Sequence, residues 1–484
     1  MLSELSDHQT GIAIVGAGFG GLGLAARLAE QGREDFVILD AAEGVGGTWW
    51  ANRYPGCACD VPSNLYSLSF FPNPDWTRRF APRVEIQAYL QRLVEHYRLQ
   101  PRLRLATRIE QARWDPTSGC WRLRDSHGQE WSATHLVWAT GGLSRPNWPG
   151  IEGLEQFSGE VVHSSCWNDQ LQLAGRRVAV IGTGASAAQL VPEVAHSAAQ
   201  LTVYQRTPHW ILPRPDRAIG PHRRALYRRL PLLQKLVRLG IWLISEARVP
   251  GLRWSSRLAA GHRLLARLQL RRQISDPALR QALMPDYDIG CKRVILSSDF
   301  YPALMRDSVE LVSRPIARIE PDCIVDADGR RRPTELIVLA TGFHATDPIP
   351  PGQLIGRDGR DLGQRWRDGP EAWAGVMVHG FPNLFMLMGP NTALGHNSVL
   401  LMIEAQIGFI LRALARAEFT PLEVSETVQR DYNDWLQQRL AGTVWNRGGC
   451  SSWYLHPKSG KNTTLWPGFT WQYRRMMQRL NPPA

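Results

Sequence analysis

The chain has 484 residues, a formal net charge of +12, 44 % hydrophobic residues and 21 % charged ones. This composition excludes a disordered, fibrous or small disulfide-built chain and leaves room for two or three domains around a large core. No apolar run is long enough to cross a bilayer, and the polar, acidic stretch Met1–Thr10 carries no secretory pattern, so a cytoplasmic location is expected.

In chain order, the apolar run Ile12 to Val15 reads as a buried strand. It leads into Gly16-Ala17-Gly18-Phe19-Gly20-Gly21 and then into helix-like apolar spacing. Twenty-two residues beyond Gly18 stands Asp40. The pattern returns 166 residues later as Val178 to Ile181, then Gly182-Thr183-Gly184-Ala185-Ser186-Ala187, with Arg206 at the same offset from Gly184. Glycines there permit a tight turn and let backbone N–H groups approach a pyrophosphate at a helix N-terminus, and Ala187 is an allowed variant of the last one. An acid at the offset position accepts from a ribose 2′-hydroxyl, whereas an arginine pairs with a 2′-phosphate. The first loop therefore predicts FAD and the second NADPH, and a chain holding both is most simply a flavin-dependent oxidoreductase. The predicted fold is α/β, with two Rossmann-like domains, the second inserted in the first.

The segment Leu136-Val137-Trp138-Ala139-Thr140-Gly141 has a near copy in Ile337-Val338-Leu339-Ala340-Thr341-Gly342, each a buried strand stopping at Thr-Gly. With the linker around Pro146, Trp148, Pro149 and Gly150, this predicts a divided organisation. Residues 1–150 form the first part of the FAD domain, 151–215 and 289–380 the two parts of the NADPH domain, and 381–484 the rest of the FAD domain. Residues 216–288 are expected to be a helical insertion. Between Arg214 and Arg280 there are fifteen Arg and one Lys against three acids, a surplus of thirteen positive charges. The favoured reading of this segment, 214–280, is a solvated basic face that helps attract anionic NADPH. Docking on nucleic acid or peripherally on an acidic membrane surface are the alternatives. Seven cysteines without paired spacing argue against a disulfide framework and for small buried thiols. Cys57 and Cys59 form CxC rather than the CxxC of a disulfide reductase. No spacing of metal ligands is present, and no metal is expected.

Gly46-Gly47-Thr48-Trp49, with Tyr54-Pro55-Gly56 and Asp60, resembles the long fingerprint of Baeyer–Villiger monooxygenases and their flavin monooxygenase relatives. Phe157-Ser158-Gly159-Glu160-Val161-Val162-His163, with Trp167, is similar to the second fingerprint of that group. Gly290-Cys291-Lys292-Arg293, Gly389-Pro390-Asn391-Thr392-Ala393-Leu394-Gly395-His396 and Ser452-Trp453-Tyr454 follow in the family's order, so the resemblance covers essentially the whole chain. Trp167 is on the Baeyer–Villiger side. Asn168, where that fingerprint has proline or aspartate, departs from it.

The resemblance implies a C4a-peroxyflavin formed from FAD, NADPH and O2, which inserts one oxygen atom next to a ketone carbonyl to give an ester or lactone. The alternative is an N- or S-oxidising flavin-containing monooxygenase like N,N-dimethylaniline monooxygenase, acting through the hydroperoxyflavin. More distant readings are a flavin reductase or oxidase, and a basic docking protein. The resemblance makes Arg293 the catalytic arginine and Asp60 its positioning partner. A guanidinium stays charged and would stabilise an oxyanion as a preorganised hole does. Lys292 and Arg206 would clamp the 2′-phosphate. Ser186 and Thr183 would offer hydroxyls to the pyrophosphate, with Gly182 and Gly184 around it. Gly16, Gly18, Gly21, Asp40, Gly47, Thr48, Trp49 and Tyr54 would hold FAD, the two aromatics packing around the isoalloxazine or in the core. Trp453 resembles a tryptophan near the nicotinamide half of NADP, its alternative being a core aromatic. His163 reads as a structural histidine, and His396 as a candidate flavin neighbour. The partners expected are a small organic substrate, a ketone, and O2; nucleic acid is not one of them.

Overall fold

The computed structural model describes residues 8–416 and 421–482, so residues 1–7 of the acidic lead-in lie outside the described residues. The apolar run at 12–15 ends the strand Gln9–Val15, at the heart of an eight-stranded sheet. It pairs in parallel with Phe36–Leu39 and with Glu130–Trp138, placing Ile14 between Ile38 and Val137. All three side chains are fully buried, as a parallel sheet covered on both faces requires. Each contributes about 1.5–3 kcal/mol over an exposed position. Leu103–Arg104 closes one edge, while Cys120–Asp125, Ile109–Asp115 and Leu354–Ile355 extend the other. Leu384–Met386 pairs in parallel with the end of Glu130–Trp138.

Leu354–Ile355 corrects the expected boundary at 381. It is paired with Ala112 and Arg113 of the first sheet, so the chain is back in the first domain well before that residue. A strand of two residues carries too little alternation to be recognised in a sequence.

The second domain is a five-stranded parallel sheet in the order Val309–Val312, Gln200–Tyr204, Arg177–Ile181, Leu336–Leu339, Glu160–His163. An antiparallel meander of Ile316–Glu320, Cys323–Asp326 and Arg331–Pro333 belongs to the same part of the chain. One apolar cluster holds Ile14, Trp49 and Tyr54 of the first domain together with Val180 and Leu190 of the second. The two domains thus share a core. Both have the parallel strands, glycine turn and helix of a dinucleotide-binding fold, the first sheet adding antiparallel pairing of Cys120–Asp125 with Ile109–Asp115 and Glu130–Trp138.

Between the paired strands Ile211–Leu212 and Ile295–Leu296 come the helices Pro221–Arg229, Pro231–Glu246, Val249–Arg253, Ala260–Gln273 and Pro277–Ala282. Arg223, Arg229, Lys235 and Arg267 are exposed along this segment, as a solvated basic face requires, but the long helix Pro231–Glu246 exposes apolar residues as well. Gln234, Ser245 and Glu246 are buried, while Leu232, Leu236, Leu239 and Leu243 are exposed. Its inner face mixes Leu233 and Val237, which pack on the core, with polar side chains that meet carbonyls of the first domain. Gln234 donates to Asn64 Oδ1 and the Asn73 carbonyl at 2.9 and 2.6 Å. Arg238 Nη1 donates to the carbonyls of Asn64, Leu65 and Ser67 at 3.1, 3.1 and 2.9 Å. Among the described residues no helix is long and apolar enough to cross a membrane.

Candidate active site

The two glycine loops are built alike. Gly16 and Gly182 have φ of 115° and 114°, a region that side-chain-bearing residues rarely adopt. A Cβ at either would stand 2.5 Å from a carbonyl oxygen, that of Ala139 at the first and Ala340 at the second. The two Ala-Thr-Gly pieces are therefore the walls against which the loops turn. The helices Phe19–Glu30 and Ala185–Ser197 start just beyond, and their free N–H groups form the anion-binding ends. Gly47, also at positive φ, would place a Cβ 3.0 Å from Gly18 Cα. The short helix Thr48–Ala51 thus begins directly against the first loop, which brings Thr48 and Trp49 to it. Trp49 is buried and donates to the Tyr66 hydroxyl at 3.2 Å.

Asp40 follows the strand Phe36–Leu39 and accepts from the backbone N–H groups of Ala17 and Ala42, at 2.5 and 2.8 Å. Burial raises its pKa, and those two bonds offset part of the rise. A half-buried carboxylate braced beside the glycine turn fits a ribose hydroxyl. At the matching place in the second domain Arg206 is exposed. Lys292, half-buried, is depressed by burial and then by repulsion from Arg206, with Asp286 opposing. His209 stands next to Lys292. Burial, then that ammonium, lower it to about 4, and its Nδ1 is buried without a partner among the described residues. Two cations and an orphaned imidazole nitrogen around one space fit a phosphate dianion.

Asp60, in the loop after the first fingerprint, receives Arg293 in a two-pronged pair, Nε to Oδ2 at 2.8 Å and Nη2 to Oδ1 at 2.7 Å. The carboxylate beside it keeps Arg293 above the ordinary arginine range, against the pull of burial. Asp60 takes one edge of the guanidinium, and Nη1 belongs to the other. Tyr454 lies close to the pair. Its hydroxyl is buried without a partner among the described residues, and burial pushes it up to about 12. Trp453, whose ring is 4.6 Å from that of Tyr454, is 44 % exposed and is not a core aromatic.

Other positions acquire structural roles. His163 is fully buried, its Nδ1 accepting from the Ser165 N–H at 3.2 Å and its Nε2 lying 3.1 Å from the Gly342 carbonyl. It ties the second fingerprint to the second Ala-Thr-Gly wall. Thr183 departs from the expected pyrophosphate contact: it is buried and donates to the Thr207 carbonyl at 3.3 Å. Tyr54 donates to Gln189 Oε1 at 3.0 Å, and Ser186 reaches the same hydroxyl. Gln189 also donates to the Ala58 carbonyl at 2.9 Å and accepts from the Ala58 N–H at 3.3 Å. This glutamine, on the helix of the second loop, thus fastens the fingerprint loop of the first domain. Five residues past Gly184 on the predicted helix was the only signal for it. Asn168 accepts from the Gln170 N–H at 2.9 Å and so makes a turn of its own. His396 Nε2 lies 3.5 Å from Glu246 Oε1. Burial would raise Glu246, but contacts with His396, Thr470 and Asn397 outweigh it and hold it below the usual carboxylate range.

The expectation of unpaired thiols is corrected at one pair. Cys291 and Cys450, 159 positions apart, form a disulfide that joins the Gly-Cys-Lys-Arg loop to the segment carrying Trp453. Separation of that length leaves no mark in local spacing. Cys57, Cys59, Cys120, Cys166 and Cys323 are free. Among the described residues, Glu320, Asp322 and Cys323 group as metal-ligating atoms would, on the meander, where Arg318 and Arg331 already pair with Glu320.

A family model described as pyridine nucleotide-disulphide oxidoreductase matches residues 13–230. The chain is 50 % identical over 476 residues to a Baeyer-Villiger monooxygenase of Pseudomonas aeruginosa, covering 98 % of this chain and 90 % of that one. Among solved structures, an oxidised steroid monooxygenase bound to NADP superposes with a TM-score of 0.85 at 31 % identity, over 97 % of each chain. OTEMO in complex with FAD and NADP gives 0.86 at 26 % identity, over 98 % of each chain. With half of its residues shared along nearly its whole length, this chain belongs to the Baeyer–Villiger monooxygenase family.

Proposed function

We propose that the chain binds FAD and NADPH and inserts one oxygen atom of O2 next to the carbonyl of a small organic ketone, giving an ester or lactone. The observation that carries this reading is the two-pronged pair of Arg293 and Asp60 beside the fingerprint loop. FAD and NADPH, when bound, supply hydride transfer and the activation of O2.

The protein's part is to bind, orient and stabilise charge. Asp40 takes the ribose of FAD, and the N–H groups after Gly16 and Gly18 take its pyrophosphate. Gly182, Gly184 and Ser186 do the same for NADPH, with Arg206 and Lys292 on its 2′-phosphate. Trp453 covers the nicotinamide end. When the ketone carbon is attacked its oxygen becomes an alkoxide, and the Nη1 edge of Arg293 donates to it. Asp60 fixes the direction of that edge. Because a guanidinium does not titrate at working pH, no proton is lost to the alkoxide before the neighbouring carbon migrates. The buried, neutral Tyr454 helps keep water from the pair.

Product identification after incubation with NADPH, 18O2 and a panel of ketones and thioethers tests this. An ester or lactone with one labelled oxygen is expected. Sulfoxide as the sole labelled product would assign the chain to heteroatom oxidation instead.

A further inference from the structure

The helix Pro231–Glu246 is inside out. Helices of soluble proteins bury an apolar stripe and expose a polar one. Here the inward side holds Gln234, Arg238, Ser245 and Glu246, buried or hydrogen-bonded to the first domain and the C-terminal part of the chain, beside the core-packed Leu233 and Val237. Leu232, Leu236, Leu239 and Leu243, spaced four, three and four residues apart on the opposite face, are 68, 55, 47 and 53 % exposed. Twelve of the nineteen exposed large apolar side chains among the described residues fall between 226 and 268. Scattered exposed leucines need no explanation, but a continuous stripe on one helix does.

Two further observations say what covers it. The first is aromatic. The C-terminal helix Thr470–Arg479 joins the end of the inside-out helix, with Trp242 donating to Thr470 Oγ1 at 2.9 Å and Thr470 N–H donating to Glu246 at 3.0 Å. At that junction Trp471 is 44 % exposed and Trp254 is 60 % exposed, both ringed about Phe469. Indoles with an apolar body and a polar edge settle at the boundary between water and hydrocarbon. The second observation is charge. The fifteen Arg and one Lys between Arg214 and Arg280 face only three acids, which leaves the rest of the chain near neutrality. Exposed cations such as Arg223, Arg229, Lys235, Arg474 and Arg475 accompany the leucines and tryptophans.

We propose that this face lies on the surface of a bilayer that contains anionic phospholipid, with the leucine stripe and the two tryptophans entering the acyl boundary. At 16 residues the helix is about 24 Å long, too short to span and suited to lying in the interface. A second copy of the chain fits the face less well. A twofold interface sets each patch against itself, so two strongly cationic surfaces would meet, whereas anionic headgroups neutralise them. The inner face of the same helix reaches His396 and Asn397 through Glu246. The surface on the lipid is therefore one helix away from the GPNTALGH segment.

The test is sedimentation of the flavin-loaded protein with vesicles of phosphatidylcholine alone, or of phosphatidylcholine with one-third phosphatidylglycerol, at low and high salt. The wild type is expected to sediment with the anionic vesicles, less so as salt rises, and weakly with phosphatidylcholine. The variant Leu232→Glu/Leu236→Glu/Leu239→Glu changes only exposed positions. It should lose more than about tenfold in vesicle binding while consuming NADPH with a water-soluble ketone at the wild-type rate. Equal binding of wild type and variant would overturn the proposal, as would equal binding to both vesicle types. No vesicle binding, together with a wild-type dimer that the triple variant dissociates, would assign the face to a second copy instead.

Discussion

The two glycine loops make the same turn and carry different side chains at the position proposed to read the ribose. At Gly16 and Gly182 φ agrees within a degree, and a Cβ added at either would meet an alanine carbonyl oxygen at the same distance. The side chains after the second strand of each domain then diverge. Asp40 is half-buried and braced by two N–H groups of its own loop, whereas Arg206 stands in solvent with Lys292 nearby. Backbone geometry sets what kind of ligand is held, a dinucleotide. On the proposed reading, one side chain sets which. A reader locked into its loop suits a resident cofactor, and an exposed arginine near a half-buried lysine suits one that enters and leaves in each turnover.

Breaking each turn separately is the strongest challenge to that comparison. Gly16→Val is expected to give protein without bound flavin, seen as loss of the absorbance near the flavin maximum. Gly182→Val should keep its flavin and lose NADPH oxidation by more than about 100-fold, since both clash and positive φ cost several kcal/mol. Loss of flavin from both variants would mean that the sites do not work independently.

A smaller effect is expected from the readers. Arg206→Ala should raise KM for NADPH by about 10- to 100-fold and leave that for NADH unchanged, as one charge-assisted hydrogen bond of about 1.5–3 kcal/mol is removed. Equal weakening for both nucleotides would show that Arg206 does not read the 2′-phosphate.

The smallest expected effect sharpens the difference by pH. Lys292 is held below the ordinary lysine range by burial and by Arg206. Its charged form binds phosphate, so NADPH affinity is full below the Lys292 pKa and declines as pH rises through it. KM for NADPH should therefore begin to climb at a lower pH than for an ordinary lysine. In Arg206→Ala the repulsion is gone, and the climb should move to higher pH. An inflection that does not move would separate the two cations.

What the sequence discloses follows from how local each feature is. The placement of Asp40 and Arg206 after the second strand of each domain was legible because a strand, a glycine turn and a helix fix their offset from the loop. Arg293 and Asp60, 233 positions apart, were legible only through the motifs that carry them. Gln189 was not, since a glutamine on a helix has no pattern that points across to another domain. The Cys291–Cys450 bridge was not legible either, and nor was the early return of the chain at Leu354–Ile355. The inside-out helix is the sharpest case. Periodicity disclosed an amphipathic helix between 230 and 243, but period alone does not say which face turns inward. Buried carbonyls at Asn64, Leu65 and Ser67 decided it.

The most direct measurement on the central claim is the yield of ester per NADPH consumed by Arg293→Ala beside the wild type. Flavin content and flavin bleaching by NADPH should be retained, because neither nucleotide reader is touched. Ester should fall by about 100- to 1,000-fold, the usual cost of removing an oxyanion donor, with NADPH still consumed. Ester formed at close to the wild-type yield would contradict the assignment of the oxyanion to Arg293.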